Sequence, residues 1–171
     1  MERVASFEKV SWTQFLQDFP YPSAQEVYAG LRLPRRATVG SAGYDFFAPV
    51  PVHLEPGEGI RLATGIRVRI DPGWVLLLFP RSSLGFRYRL QLDNTVGVID
   101  SDYYGTANEG HIFVKLTNAG NKALSLSAGE AIFQGIFVPF GITQSDETAA
   151  ERTGGLGSTS SPKTERGTGT K

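Results

Sequence analysis

Short apolar runs separated by turn residues dominate the chain between about residues 30 and 140. IRVRI (66–70) alternates strictly between apolar and charged side chains, which is typical of a half-buried strand. WVLLLF (74–79) is apolar throughout and follows a DPG turn. The pattern continues in HIFVKL (111–116) and AIFQGIFVPF (131–140). Many short strands at regular spacing predict an all-β fold, either a barrel or a sandwich.

The two ends of the chain differ from this β-rich part. SWTQFLQDF (11–19) has apolar side chains at helical spacing behind a possible N-cap, Ser11, and predicts a short amphipathic helix that ends before Pro20. Residues 143–171 contain one bulky apolar side chain, Leu156, and cannot bury a core of their own. We therefore expect three parts, which are an N-terminal extension with a short helix (1–28), a β-barrel (29–141) and a flexible arm rich in Gly, Ser and Thr (142–171).

Composition limits the classes of function. A length of 171 residues suits one domain, and 17 Lys and Arg against 17 Asp and Glu argue against broad attraction to nucleic acid or to an anionic membrane. A small anionic ligand needs only a local basic site and remains allowed. The chain has no cysteine and two histidines, so a disulfide framework and a structural zinc site are not expected. No stretch looks like a signal peptide or a membrane span, so we expect a cytoplasmic protein.

One stretch combines residues suited to recognition and to catalysis. LDNTVGVIDSDYYG (92–105) has the form of a β-hairpin, with Asn94 in one arm, Gly97 near the other and Asp100 at the exit. An Asn amide offers donors and an acceptor and can pair with a pyrimidine edge. A carboxylate just beyond an apolar pair can be partly desolvated and act as a general base. The structural alternatives are helix or turn capping for Asp100 and Asp102 and core packing for Tyr103.

Further stretches could hold phosphate. FPRSSLG (79–85) offers an arginine and two hydroxyls at a strand-to-loop turn, and a solvated arginine at a strand end explains it equally well. RTGGLGST (152–159) places glycines among donors and could wrap a phosphate of a bound ligand. Taken singly, Asp45 reads as a turn residue and Gln134 as a hydrogen-bonded core amide.

Together and in this order, these stretches resemble the five motifs of the trimeric dUTPase family. The matching segments are AGYDFFAP (42–49), PRSSLG (80–85), NTVGVIDSDYYG (94–105), GEAIFQ (129–134) and GGLGST (154–159). The resemblance implies a jelly-roll-like distorted β-barrel, a homotrimer with shared active sites, and Mg²⁺-dependent hydrolysis of dUTP to dUMP and pyrophosphate.

The resemblance also implies a role for individual residues. Asp100 is expected to activate the water that attacks the α-phosphorus, and Tyr103 to stack on the deoxyribose. Asp45 is expected to contact Mg²⁺ through water, while the triphosphate holds the ion and no side chain binds it directly. The substrate-binding residues are expected to be Arg81, Ser82, Ser83, Asn94, Gly97, Val98, Ile99, Tyr103, Gln134, Arg152, Leu156, Gly157, Ser158 and Thr159.

The sequence departs from the family pattern in three places. Ala131 stands where the fourth motif commonly has Arg, Leu156 stands for the usual Phe, and Arg152 is one residue closer to Leu156, which puts its contact with the γ-phosphate in doubt. Two other functions stay open. A dCTP deaminase shares the Arg-Ser-Ser motif but needs a glutamate where this chain has Lys115, and a non-catalytic nucleotide-sensing protein could use the same fold.

Overall fold

The computed structural model describes residues 2–150, Arg152 and Gly154, and strands dominate this part of the chain. The strands are β1 (Ala5–Lys9), β2 (Arg35–Arg36), β3 (Tyr44–Phe47), β4 (Val52–Leu54), β5 (Gly59–Ala63), β6 (Ile66–Ile70), β7 (Trp74–Pro80), β8 (Leu90–Leu92), β9 (Gly97–Ile99), β10 (Phe113–Asn118), β11 (Leu124–Leu126) and β12 (Ala131–Pro139). The helices are α1 (Trp12–Asp18), α2 (Ala24–Gly30), α3 (Ser82–Tyr88) and the 3-10 helix η1 (Ser101–Gly105). Within the described residues, no helix has the length and apolar character needed to cross a bilayer.

The strands form antiparallel sheets, which confirms the predicted all-β class. The largest sheet has five strands in the order β2-β3-β12-β7-β9, and a second has the order β5-β10-β8. Two further pairs are β1-β6 and β11-β4. The predicted strands at 66–70, 74–79 and 131–140 are present as β6, β7 and β12. The strand predicted from residue 111 begins two residues later, because His111 is buried in the preceding loop.

The main core lies against the largest sheet. Leu76 and Leu78 of β7 and Ile132 and Phe133 of β12 are almost completely buried, and the ring of Phe133 stacks on that of Phe46 with centroids 4.6 Å apart. Because these apolar side chains are buried, the hydrophobic effect stabilises the sheet that carries them. This sheet therefore provides a rigid support for the residues that follow β7 and β9.

Residues 92–105 do not form the predicted hairpin. β8 pairs with β10, whereas β9 pairs with β7, so the two arms belong to different sheets. The connection between them contains Thr95 in the left-handed region, with φ of 65°. A short apolar run can pair with any nearby strand edge, and here the distant strands supply the partners.

The N-terminal helix is confirmed, and two neighbouring elements were missed. The Ser11 hydroxyl accepts a hydrogen bond from the Gln14 N–H at 3.1 Å, and α1 ends at Asp18, which agrees with the predicted end before Pro20. β1 pairs along its whole length with β6, and α2 follows α1. Both helices bury a small second core of Val10, Phe15, Ala24 and Leu31. The division of the chain into three parts stays a prediction.

Candidate active site

A cavity of about 460 Å³ lies between β9 and β10, beside the 3-10 helix η1. Its volume falls in the range of small-molecule sites. Seven residues that the sequence analysis selected line it together: Asn94, Gly97, Val98, Ile99, Asp100, Tyr103 and Arg152. We call this cavity the nucleoside pocket, after the ligand that the sequence analysis expects.

The backbone of β9 forms one wall of the nucleoside pocket. A Cβ atom on Gly97 would lie 3.0 Å from the Cβ of Leu78, so glycine lets β9 approach β7 closely. β9 is an edge strand of its sheet, and Val98 is 57% exposed. An edge strand leaves part of its backbone N–H and C=O groups without a strand partner, so they are available to a ligand.

Two carboxylates at the pocket share one guanidinium group. Arg152 lies with Nη2 2.5 Å from Oδ2 of Asp100 and with Nε 2.9 Å from Oδ1 of Asp102. Asp100 occupies the N-cap position of η1, but its side chain makes no capping hydrogen bond. The capping interpretation of Asp100 is therefore wrong, and its carboxylate contacts Arg152 instead.

Tyr103 is both a core residue and a lining residue of the pocket. Its side chain is 7% exposed, and its hydroxyl donates to the backbone oxygen of His111 at 2.7 Å. The same hydroxyl accepts from Nδ2 of Asn108 at 2.9 Å. Burial raises the pKa of Tyr103, so the phenol stays protonated and keeps donating. The core-packing interpretation of Tyr103 is therefore confirmed, and its contact with a sugar stays a prediction.

Tyr104 belongs to a different region. The guanidinium groups of Arg67 and Arg69 lie 4.5 Å and 4.8 Å from the centroid of its ring. Its hydroxyl donates to Oε2 of Glu8 at 2.8 Å, and this hydrogen bond lowers the pKa of the Glu8 carboxyl. The second tyrosine thus fastens β1 to η1 and does not line the pocket.

Sequence reasoning missed the far wall of the pocket, which is formed by β5, β10 and Asp93. The guanidinium of Arg61 lies 4.3 Å from the ring centroid of Phe113. Nζ of Lys115 lies 2.9 Å from Oδ2 of Asp93, and this contact lowers the pKa of Asp93. Alternation along β10 places Phe113 and Lys115 on one face, which was the available signal.

A second group of selected residues lies at the end of the largest sheet. Nε of Arg81 lies 3.0 Å from Oδ1 of Asp45, and Gln134 faces Asp45 across the β12–β3 pair. Nε2 of Gln134 donates to the backbone oxygen of Pro80 at 3.2 Å. We call Asp45, Arg81 and Gln134 the sheet-end cluster, and the described lining of the nucleoside pocket includes none of them.

The segment after Arg81 differs from the prediction. Ser82 and Ser83 begin helix α3, with Arg81 at its N-cap position, so a strand-to-helix junction replaces the predicted strand-to-loop turn. Both serines are exposed. The two serines directly follow Arg81 of the sheet-end cluster in sequence, and their hydroxyls are open to solvent.

The comparison with protein families decides the identity of this arrangement. The model of the dUTPase family matches residues 30–161. The chain belongs to the dUTPase family. It is 42% identical over 134 residues to the deoxyuridine 5'-triphosphate nucleotidohydrolase of Lactococcus lactis, which covers 77% of this chain and 89% of that relative.

Solved structures agree with this membership. The dUTPase of Streptococcus mutans matches with a TM-score of 0.63 at 35% identity and covers 81% of this chain and 98% of its own. A mutant dUTPase of phage phi11 of S. aureus, described with a coordinated structural Mg(II) ion, has a TM-score of 0.63 at 20% identity, covering 86% and 98% of the two chains. The likeness to the phage protein shows the fold alone.

Four residues of the fifth dUTPase motif, Leu156, Gly157, Ser158 and Thr159, lie outside the described residues. Arg152 is described, and it contacts Asp100 and Asp102. Among the described residues, no group of three or more His, Asp or Glu side chains could hold a metal ion.

Proposed function

We propose that this chain hydrolyses dUTP to dUMP and pyrophosphate. The observation that carries the proposal is the position of Asp100, a carboxylate at a nucleoside-sized pocket that is also lined by Asn94, β9 and Tyr103. The relatives named deoxyuridine 5'-triphosphate nucleotidohydrolase support the same reaction.

The pocket offers the groups that uracil and deoxyribose require. The amide of Asn94 supplies donors and an acceptor, and the edge backbone of Val98 and Ile99 supplies more, so both kinds of group on the uracil edge can be paired. The Tyr103 ring is held by two hydrogen bonds to the protein and provides a fixed surface for the sugar. A fixed surface leaves no space for an added 2′-hydroxyl.

Asp100 acts as the general base in this proposal. One carboxylate oxygen takes a proton from water as the water oxygen forms a bond to the α-phosphorus, and the bond to pyrophosphate breaks. Arg152 must then change partners, because its guanidinium lies against Asp100. A triphosphate carries more negative charge than two carboxylates, so it competes for Arg152 and frees Asp100 to bind water.

The sheet-end cluster is proposed to hold phosphates in a neighbouring subunit of a homotrimer. Arg81 follows the last residue of β7, whereas Asp100 follows Ile99, which faces Leu76 near the start of β7. A strand rises about 3.3 Å per residue, so the positions from Leu76 to Arg81 span roughly 16 Å. This distance exceeds the length of one triphosphate. A second copy of the chain, placed as in the trimeric dUTPases, brings the two groups together.

The residues present fit a magnesium ion that the substrate carries. Mg²⁺ keeps several waters and is commonly held by one or two carboxylates together with phosphates. Asp45 is a half-buried carboxylate with one oxygen on Arg81, and it can reach such an ion through water. When bound, the ion neutralises charge on the phosphates as the water attacks.

A product assay tests the proposed reaction. The full chain is incubated with Mg²⁺ and dUTP, dCTP, dTTP or UTP, and pyrophosphate and ammonia are measured. We expect pyrophosphate from dUTP and little from the other nucleotides, with loss of activity in EDTA. Ammonia from dCTP would instead identify a deaminase, and tight dUTP binding without any product would identify a nucleotide sensor.

Mixing two variants, each impaired at dUTP concentrations well below KM, tests the shared site. Arg81→Ala and Asp100→Asn chains are unfolded together and refolded, so that trimers of mixed composition form. If each site takes Asp100 from one subunit and Arg81 from another, about a quarter of the sites regain both residues. Activity of the mixture that merely equals the sum of the two variants would show that each chain uses its own Arg81.

A further inference from the structure

The segment 106–111 holds the hydroxyl of Tyr103 in place, and its residues do not belong to the described lining of the pocket. The hydroxyl accepts a hydrogen bond from Nδ2 of Asn108 at 2.9 Å and donates one to the backbone oxygen of His111 at 2.7 Å. The Thr106 hydroxyl lies 2.7 Å from Oδ1 of Asn108 and orients that amide. We call residues 106–111 the tyrosine loop.

The tyrosine loop lies directly on η1. Glu109 and Gly110 both adopt left-handed backbone conformations, with φ of 58° and 69°. A Cβ on Gly110 would lie 2.8 Å from the backbone oxygen of Tyr103, which no side chain tolerates. The loop therefore packs tightly against the backbone of Tyr103 and Tyr104.

Helix α1 is attached to the tyrosine loop near both of its ends. At the start, the Ser11 N–H and hydroxyl donate to the two carboxylate oxygens of Glu109, at 2.8 Å and 2.7 Å. At the end, Asp18 accepts from Nδ1 of His111 at 2.6 Å and from Nε2 of Gln14 at 2.7 Å. Two attachments on one short helix fix the orientation of the loop as well as its position.

The contact between Asp18 and His111 has a defined protonation state. Nε2 of His111 accepts from the backbone N–H of Gly65 at 2.7 Å, and a backbone amide can only donate. The ring proton is therefore on Nδ1, which donates to Asp18. His111 is fully buried, so loss of Asp18 leaves this donor without its partner.

We propose that α1 braces the sugar-binding tyrosine through the tyrosine loop, so that Asp18, His111 and Asn108 are positioning residues for selection of a deoxyribose over a ribose. This inference rests on the proposed hydrolysis of dUTP. Asn108, His111 and α1 do not belong to the described lining of the nucleoside pocket, so they act through Tyr103. The N-terminal extension thereby contributes to substrate selection from outside the site.

The selectivity of the enzyme provides the first test. A loosened Tyr103 ring can retreat from a 2′-hydroxyl, whereas the base is read by Asn94 and β9, which the variants leave alone. In Asp18→Ala and Asn108→Ala, we expect the ratio of kcat/KM for dUTP over UTP to fall by about tenfold or more. The ratio for dUTP over dTTP stays within about twofold, because base recognition is retained. General destabilisation would change both ratios together.

Gln17→Ala is the matched control, since Gln17 is an exposed residue of the same helix next to Asp18. We expect it to keep both ratios of the unsubstituted chain. An unchanged dUTP/UTP ratio in both Asp18→Ala and Asn108→Ala would overturn the proposal. Asn108→Ala carries the test if Asp18→Ala does not fold, because Asn108 is partly exposed.

Hydrogen–deuterium exchange separates this proposal from the proposed reaction. Peptides that cover residues 100–112 should exchange faster in Asp18→Ala than in Gln17→Ala, with no nucleotide present. Absence of dUTP hydrolysis by the unsubstituted chain would refute the reaction and with it the sugar selection. Equal exchange in the two variants would refute the brace, whatever the activity.

Discussion

The nucleoside pocket and the sheet-end cluster hold their polar groups in different ways. In the pocket, the Tyr103 hydroxyl is bound to the tyrosine loop, which is closed by the fully buried His111. In the cluster, the Arg81–Asp45 pair has side chains 36% and 18% exposed. A partly exposed ion pair adds little stability, so an anion can replace one partner at small cost. Under the proposed function, the fixed Tyr103 wall of the pocket excludes wrong ligands, whereas the cluster exchanges partners, as the Arg152–Asp100 pair does.

This difference predicts separate effects on kinetics. Changes at the pocket should affect kcat and selectivity, because a fixed geometry determines which groups meet the reacting phosphorus. Changes at the cluster should affect mainly KM, because they weaken attraction for phosphates in every nucleotide alike.

The largest effect is expected at Asp100. Asp100→Asn removes the proposed base and keeps the shape, so kcat for dUTP should fall by about 10²–10⁴-fold while a non-hydrolysable dUTP analogue still binds. Asp102→Asn is the matched control, because Asp102 contacts the same Arg152. Steady-state kinetics of the two variants should differ by at least about tenfold in kcat. Similar kcat values for both would remove Asp100 from the role of base.

A smaller effect is expected at the sheet-end cluster. Arg81→Ala should raise KM for dUTP by about 10–100-fold, the range expected for a lost hydrogen bond between charged groups, and leave dUTP/dTTP selectivity unchanged. Arg87→Ala, an exposed arginine on α3, is the control. Altered base selectivity in Arg81→Ala would contradict the separation of the two regions.

Substitutions at two glycines compare the stability of the pocket wall with that of the sheet-end cluster. Gly97→Ala brings a Cβ against the Leu78 side chain in the pocket wall, and we expect a loss of about 1–3 kcal/mol in the free energy of unfolding. Gly43→Ala meets Oε1 of Gln134, the far end of a flexible side chain, and should cost under about 1 kcal/mol while raising KM.

Gly85→Ala serves as the reference for both glycine variants. Nothing lies within 4 Å of an added Cβ there, and the residue is inside α3, so the exchange should stabilise the protein by about 0.5–1 kcal/mol. Urea unfolding of the three variants gives the order. A loss at Gly43 as large as that at Gly97 would show that the cluster is as rigid as the pocket wall.

The smallest effect concerns pH. Burial lowers the pKa of His111 below 6.5, although Asp18 opposes the shift. Below about pH 6.5 the unfolded chain therefore takes up a proton that the folded chain does not, and the free energy of unfolding falls as the pH drops towards 5.5. Glu8 and Glu109, whose pKa values are lowered from 4.5, contribute in the same direction only at lower pH.

Urea unfolding at pH 7.5, 6.5 and 5.5 measures this slope. Equal or rising stability towards pH 5.5 would mean that His111 binds a proton in the folded state, and the hydrogen bond from Gly65 would then be absent.

The features that sequence reasoning found are those with local signals. Ser11 begins α1 with a cap that depends on residues three apart, and the strict alternation of 66–70 identifies β6. The prediction of a hairpin at 92–105 was wrong, because its two strands pair with β7 and β10 and not with each other. No local sequence pattern indicates which distant strand a short strand pairs with. His111 was noted only as one of two histidines, since its partner Asp18 lies 93 residues away in sequence.

The features of the site also divide into those that a sequence motif indicates and those that only the fold determines. Asn94 and Asp100 follow from motif order, and the structure brings them to one pocket. Their separation from Arg81 depends on the register of β7 with β9, which only the folded chain reveals.

The pairing of β1 with β6 has a practical consequence for work with shortened chains. The family match begins at residue 30, which invites removal of everything before it. Such a truncation takes away β1 and leaves the backbone edge of β6 from Ile66 to Ile70 without its partner. An uncovered strand edge of this kind recruits other chains, so the shortened protein should precipitate or form fibrils during purification.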